Sequence, residues 1–384
     1  MYHDKVVPFF NQLLAPEFER KPFMKHYLDY YLDLYWDLHL GVKGHAAPSE
    51  VRQIGESFNP VLAYRNPMLQ IVHGNFMTVR ALVNPLKAWI DDRLTDLQSG
   101  RVANREKTIA WYWLKNAENG EYFSRKDVVF EVFHNFVALS QWGNTIFGIM
   151  SRLRQYNGDE DVRASFVKTM SGDYGHANGS AFTPLEMLVI ELSRGIAVNG
   201  GGLSSITDAR RTAYGESPRE LLDARFERHG YMNTPHASTS FEPRHWKNPQ
   251  QFDPTRYLTA PTSDQIDEAR REQIGFARCP LDITSFDVVD GRKATLTNSG
   301  FGTVFGVVGG KPLPVCAYAG FAPFGFGYRR CLGEQLTTAV FEDFLRKVWA
   351  DKIGFVNLDL PNVGQVPVGP NAVVVDNIGF TRSA

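Results

Sequence analysis

Between Lys25 and Val42 the chain reads KHYLDYYLDLYWDLHLGV, with apolar and aromatic residues at helical spacing and aspartates on the opposite side. That period predicts an amphipathic helix. A second helix is expected over NPLKAWIDDRLTDLQSG, with Pro85 in its first turn, where a missing N–H costs little, and Gly100 at its far end. Ser124 and Asp127 then stand at capping-box spacing ahead of Val128 to Leu153. That segment is apolar nearly all round and predicts a long helix buried through the centre of the fold. TPLEMLVIELSRG adds a helix opened by Pro184 and closed by Gly195. Beyond it, glycine, proline and short β-branched runs such as KATLTNSGFGTVFGVVGG predict strands and long connections. Helix returns where Leu332, Leu336, Val340, Phe344, Leu345 and Val348 share one face. No repeat, low-complexity tract or linker divides the chain. The expectation is one mainly α domain with a minor β portion, spanning residues 1–384.

Composition narrows the function more than the fold. With 43% hydrophobic and 22% charged residues the chain is ordinary globular material, and a net charge of −1 gives no reason to expect nucleic acid. Three cysteines, Cys279, Cys316 and Cys331, are too few for a disulfide framework, which suggests a reducing compartment, the cytoplasm. No apolar run is long enough for a transmembrane segment, and the first residues look like neither a secretory signal nor an anchor. The histidines and cysteines lack zinc-ligand spacing. NGGGLSS, from Asn199 to Ser205, fits neither phosphate-loop pattern and reads as a helix end followed by a turn.

The candidate chemistry lies in FAPFGFGYRRCLGEQL, from Phe321 to Leu336. Cys331 stands at the start of the last helix, where unpaired N–H groups and the helix dipole favour a thiolate. Gly325, Gly327 and Gly333 allow the backbone or a flat ligand to approach closely. Arg329 offers a rigid donor fork for a carboxylate. A thiolate, close-approach glycines, aromatic residues and a carboxylate-binding arginine together suit haem, which has an iron, an apolar macrocycle and two propionates. Cys316, in PLPVCAYAG, lacks both the arginine and the following helix and reads as a structural thiol.

Phe324, Gly327, Arg329, Cys331 and Gly333 occupy every fixed position of F-x-x-G-x-R-x-C-x-G, and in this the chain resembles the cytochrome P450 family. Two further stretches are similar to that family. ELSR, from Glu191 to Arg194, resembles its E-x-x-R helix motif, and NPQQFDPTRYL supplies Arg256 to a structural Glu-Arg-Arg cluster. YHDKVVPFFNQL resembles the family's H-x-x-x-R-x-x-x-x-x-F stretch, with Lys5 or Val7 where arginine is usual. The resemblance makes His3 a propionate-contact candidate and implies that the elements before this helix are short or absent. It also implies haem b with Cys331 as axial ligand, and Phe324, Gly327, Arg329 and Gly333 as cofactor-binding residues.

The central helix departs from the pattern. QWGNT places Asn144 where the family has an acid and Thr145 where it has an alcohol, and the usual small pair falls on Gln141 and Trp142. An amide does not lend a proton as a carboxylic acid does. Trp142 and Asn144 are therefore either catalytic or simply packed. Leu258 and Phe324 stand 66 residues apart, so residues 259–320 read as an insertion: a lid, a docking surface or an added wall. The resemblance implies oxidation of a small, largely apolar organic substrate, with Asn144 and Thr145 as catalytic residues and a ferredoxin- or flavin-type reductase as electron source. Reductase-free peroxygenation, or hydroperoxide rearrangement as in allene oxide synthase, is the alternative. A non-catalytic haem-binding protein is a third.

Overall fold

The computed structural model describes residues 3–43, 47–54, 57, 70–119, 123–154, 159–172, 183–196, 202–205, 231–234, 240–244, 246–257, 264, 285–288, 292–295, 305–308, 311–314, 321, 323–324, 331, 333–359, 364–369 and 372–382. Eight helices of eleven residues or more run through them: α1 (His3–Leu13), α2 (Phe23–Leu40), α3 (Gln70–Gln98), α4 (Ile109–Asn119), α5 (Arg125–Leu153), α6 (Glu160–Met170), α7 (Pro184–Gly195) and α8 (Glu334–Ala350). Ten short strands pair as two-stranded sheets. These are β1 (Gly202–Ser205) with β2 (Tyr231–Thr234), β3 (Ser285–Val288) with β4 (Arg292–Thr295), and β5 (Phe305–Val308) with β6 (Lys311–Pro314). Two more join β7 (Ile353–Asn357) with β10 (Ile378–Arg382), and β8 (Gln365–Gly369) with β9 (Ala372–Val375). The mainly α reading with a minor β portion holds.

The chain forms two compact units: Met1–Met170 with Asp287–Arg292 and Ala339–Ala384, and Ser171–Phe286 with Lys293–Thr338. In the first unit an aromatic core joins α1, α2, α5 and the β7–β10 pair. Phe10 packs on Phe344 at 5.3 Å and Phe344 stacks on Phe355 at 6.2 Å between ring centroids. Along α2, Tyr27, Tyr31, Tyr35 and His39 recur every four residues as one buried stripe, in which Tyr31 and Tyr35 pack on Phe136 of α5 and His39 on Trp113 of α4. Tyr31 Oη donates to the Phe136 carbonyl at 2.9 Å, and Tyr35 Oη donates to that of Val132. The pairing descends one helix as it climbs the other, so α2 and α5 run antiparallel. Asp376 carries a different tie, accepting from the N–H groups of Met24 and Lys25, each at 2.9 Å, and so capping α2 from the far end of the chain.

Local signals set several helix ends, and the Ser124–Asp127 capping pair does so as the sequence predicts. Gly41 closes α2 in the left-handed region at φ 66°, where a Cβ would meet Val102 at 2.8 Å. Ser124 N–H donates to the Asp127 carboxylate at 2.7 Å to open α5, and this bonding, Ser124 Oγ first, holds that carboxyl below its ordinary pKa. Three expectations need correction. α3 begins at Gln70, so Pro85 lies inside a 29-residue helix and not in a first turn. The N-terminal half of α5 is buried on one face only: Val128, Val132 and Phe136 face the core, while Phe130 is 49% exposed beneath Lys87. And Gly202–Ser205, read as part of a turn, pairs with Tyr231–Thr234 as β1.

His39 gives the first unit a built-in acid sensitivity. Its ring is 1% exposed, stacks on Tyr35 at 4.2 Å and bonds the Tyr35 carbonyl through Nδ1 at 3.0 Å. Burial pulls its pKa down to about 4 against the bond to Tyr35, so the folded chain holds it neutral. Between about pH 6.5 and 4 the unfolded chain binds this proton and the folded chain does not. Stability from this group is thus complete above pH 6.5 and falls with pH by up to about 1.4 kcal/mol per unit. In urea melts across that range, His39→Phe is expected to flatten the slope by about that amount. An unchanged slope would show that His39 titrates normally in the folded state.

Candidate haem-thiolate site

Cys331 sits two residues ahead of Gly333, whose carbonyl accepts the Thr337 N–H at 2.8 Å and so starts the hydrogen-bonding of α8. Its own N–H donates to the Phe324 carbonyl at 2.8 Å. Phe321 is 2% exposed and Pro323 is buried, while Phe324 is half-buried, so apolar packing anchors these residues. The thiol is exposed, and its sulfur accepts the Gly333 N–H at 3.3 Å. An N–H aimed at sulfur is better satisfied by a thiolate than by a thiol, and it is one of the donors that a helix start leaves over. An accessible sulfur so held fits the axial ligand of a haem. Gly327 and Arg329, with Cys279 and Cys316, lie outside the described residues.

The Glu-Arg-Arg cluster is assembled in full. Glu191 and Arg194 project from α7, one turn apart, with side chains 0% and 3% exposed. Arg194 grips the carboxylate through Nε at 2.9 Å and Nη2 at 2.6 Å. Arg256, on a 3₁₀ turn from Pro254 to Tyr257, approaches Glu191 Oε1 at 3.3 Å, and the Asp253 N–H donates to the same oxygen at 3.1 Å. The remaining guanidinium N–H groups go to backbone carbonyls: Arg194 to Ser240 and Pro249, Arg256 to Lys247, Asn248 and Gln251. Trp246 and Phe241 cover Arg194 at 5.2 Å and 5.6 Å from its guanidinium carbon. The aromatic cover and the carbonyl partners are what the sequence reading missed; the tryptophan two residues before NPQQF was its one visible sign.

In the first unit, α5 runs without interruption through Gln141-Trp142-Gly143-Asn144-Thr145. Trp142 is 3% exposed and Thr145 1%, whereas Asn144 is half-buried. Trp142 therefore packs in the core. His3 opens α1. Lys5, one of the two residues standing where arginine was expected, is engaged with Asp37 at 2.7 Å, and Val7 is 40% exposed. Within residues 259–320 the described strands pair as β3 with β4 and β5 with β6.

No family model matches the chain, and neither does any curated protein. Solved structures do match it along its whole length. A retinoic-acid-bound cyanobacterial CYP120A1 superposes with a TM-score of 0.61 at 15% identity, over 100% of this chain and 74% of its own. A zebra fish cytochrome P450 with abiraterone gives 0.59 at 12% identity, over 100% and 78%. Cytochrome P450EX alpha (CYP152N1) with myristic acid gives 0.57 at 12%, over 99% and 74%. The chain has the cytochrome P450 fold. No helix among the described residues is long and apolar enough to cross a membrane.

Removing one partner of a buried ion pair leaves the other charge in a low dielectric, at a cost of about 3–5 kcal/mol. Glu191→Ala is therefore expected to lower stability by about that amount, read as the shift in urea midpoint multiplied by the m-value. Arg256→Lys should cost less, because it keeps the charge and loses only the fork to the carbonyls of Lys247, Asn248 and Gln251. Equal losses in the two variants would mean that geometry, and not charge, dominates the cluster.

Proposed function

We propose that the protein is a haem-thiolate oxidoreductase acting on a small, mostly apolar organic substrate. The observation that carries this reading is the Cys331 thiol: exposed, hydrogen-bonded by the Gly333 N–H, just ahead of α8, in a chain with the cytochrome P450 fold. Cys331 would hold the iron of haem b, with Phe324, Gly327 and Gly333 shaping its loop. Arg329 would pair with a propionate, and His3 is a second propionate candidate. When bound, the haem supplies the redox chemistry, its thiolate ligand pushing electron density that favours O–O cleavage.

The chain's own contributions follow from its side chains. The Gly333 N–H takes up part of the sulfur's charge and keeps the thiolate form favourable. Thr145 brings a hydroxyl that can both donate and accept, and Asn144 an amide that orients a partner by hydrogen bonds without releasing a proton. Retinoic acid, abiraterone and myristic acid, held by similar structures, support an apolar substrate class. In the leading reading dioxygen is the oxidant and a ferredoxin- or flavin-type protein delivers electrons. Asn144, in place of an acid, favours a second: a peroxide or hydroperoxide serves directly, and no reductase is needed.

Purified protein is expected to bind haem and, reduced under carbon monoxide, to show the red-shifted Soret band of thiolate ligation. Cys331→Ser should abolish that band, while Cys316→Ala and Cys279→Ala keep it. Persistence of the band in Cys331→Ser would end the reading. The two oxidants separate at Asn144. With dioxygen, Asn144→Asp restores a proton source, an effect that in general acid catalysis reaches about 10²–10⁴-fold, and electron-dependent turnover should hold or rise. With a hydroperoxide, a carboxylate in place of the amide should depress peroxide-driven turnover instead.

A further inference from the structure

Leu82, Pro85, Leu86 and Trp89 recur along α3 at the spacing of one helix face. With Pro48, Glu50 and Val51, the last two in the helical residues 49–54, they line a cavity of about 320 Å³. All seven residues belong to the first unit, and the haem-thiolate reading uses none of them. Val51 and Leu86 are buried and form the deep part, whereas Pro48, Glu50 and Pro85 are exposed at the mouth.

The lining is apolar except for one carboxylate. Among the described residues Glu50 accepts only from the Ser49 hydroxyl, at 3.2 Å, and no basic residue lines the walls. The cations nearest in sequence are engaged elsewhere. Arg52 pairs with Asp33 at 3.0 Å, and Lys87 lies over the rings of Phe130 and Phe133 at 5.9 Å and 5.2 Å. Pro85 withholds the N–H that would serve the Ala81 carbonyl, so the backbone of α3 adds an acceptor here and no donor. Trp89 is set edge to face against the buried Trp36 at 5.1 Å, which gives the cavity a fixed aromatic wall. An indole face attracts a cation more strongly than any other aromatic side chain. A neutral guest would cover Glu50 without replacing its water, whereas a cation brings the missing partner.

We propose that this cavity binds a small organic cation, a quaternary or protonated amine with an apolar body. Its charge is held by Glu50 and the Trp89 ring, and its body lies along Val51, Leu82 and Leu86. A few polar groups in an apolar concavity are the usual makings of a ligand site. The proposal goes beyond the function proposed above and does not depend on it.

The test is equilibrium dialysis of phenyltrimethylammonium against the purified protein, in parallel with tert-butylbenzene, which has the same shape with carbon in place of the charged nitrogen. A quaternary nitrogen has no lone pair and cannot ligate iron. The cation is expected to bind about threefold or more tightly than the neutral compound, with no change in the Soret band. Glu50→Gln, at an exposed position, should weaken the cation about threefold or more and leave tert-butylbenzene unchanged, and Trp89→Leu should weaken the cation by a similar factor. No binding of the cation by the wild type, equal binding of the two compounds, or wild-type affinity for the cation in Glu50→Gln overturns the proposal. So does a Soret shift on binding, which would put the cation at the haem. Should Trp89→Leu fail to fold, Glu50→Gln and the neutral compound still decide. A wild-type protein without the thiolate Soret band would sink the haem reading and leave the dialysis result standing.

Discussion

Every polar group that a chain takes out of water has to bring a partner with it or stay neutral, and this requirement organises the protein more tightly than its apolar packing does. Glu191 is the most demanding case. Its carboxylate has no exposed surface, and two guanidinium groups and a backbone N–H converge on it. Each guanidinium then carries its own debt of N–H groups, met by carbonyls between Ser240 and Gln251. One buried charge on α7 thus fixes the path of a segment some fifty to sixty residues further along. Apolar contacts, which have no direction, would hold that segment close without fixing its course.

The same requirement is met differently around α2. Tyr31 and Tyr35 satisfy their hydroxyls on carbonyls that α5 already uses internally, so the two helices are held in register as well as in contact. His39 meets it by remaining neutral, and Asp376 by capping two N–H groups that α2 would otherwise leave bare. Desolvation pushes the Asp376 carboxyl above its ordinary pKa in spite of those bonds. The Trp36 indole N–H, also on α2 and buried, finds no hydrogen-bond partner among the described residues.

What could be read from the sequence follows the range of each interaction. The capping pair Ser124–Asp127, the Pro184 opening of α7 and the aromatic stripe of α2 are settled within a few residues, and they read correctly. Pro85 misleads because a proline that suits a first turn can also be carried inside a long helix whose neighbours hold it. β1 depends on Tyr231–Thr234, more than twenty residues away, and four residues containing a glycine and two serines announce no strand alone. Glu191 and Arg194 form a spacing common on solvated helices. Their burial is decided by Trp246, Phe241 and the carbonyls after Ser240, which no local pattern connects to them. The tyrosine stripe was visible, but the carbonyls that receive it were not.

The cysteine loop was legible for a different reason: its constraint is chemical. The bond from the Cys331 N–H to Phe324 needs no particular side chain, since any residue but proline has that donor. Packing does not ask for sulfur either, because the side chain is exposed and a free cysteine used for packing is usually buried. What remains is the Gly333 N–H at 3.3 Å, directed at an atom that binds soft metals and carries negative charge more readily than a serine oxygen at the same place. The backbone bond leaves the residue type open, and the proposed role as a thiolate ligand is the reading that accounts for a cysteine at this position.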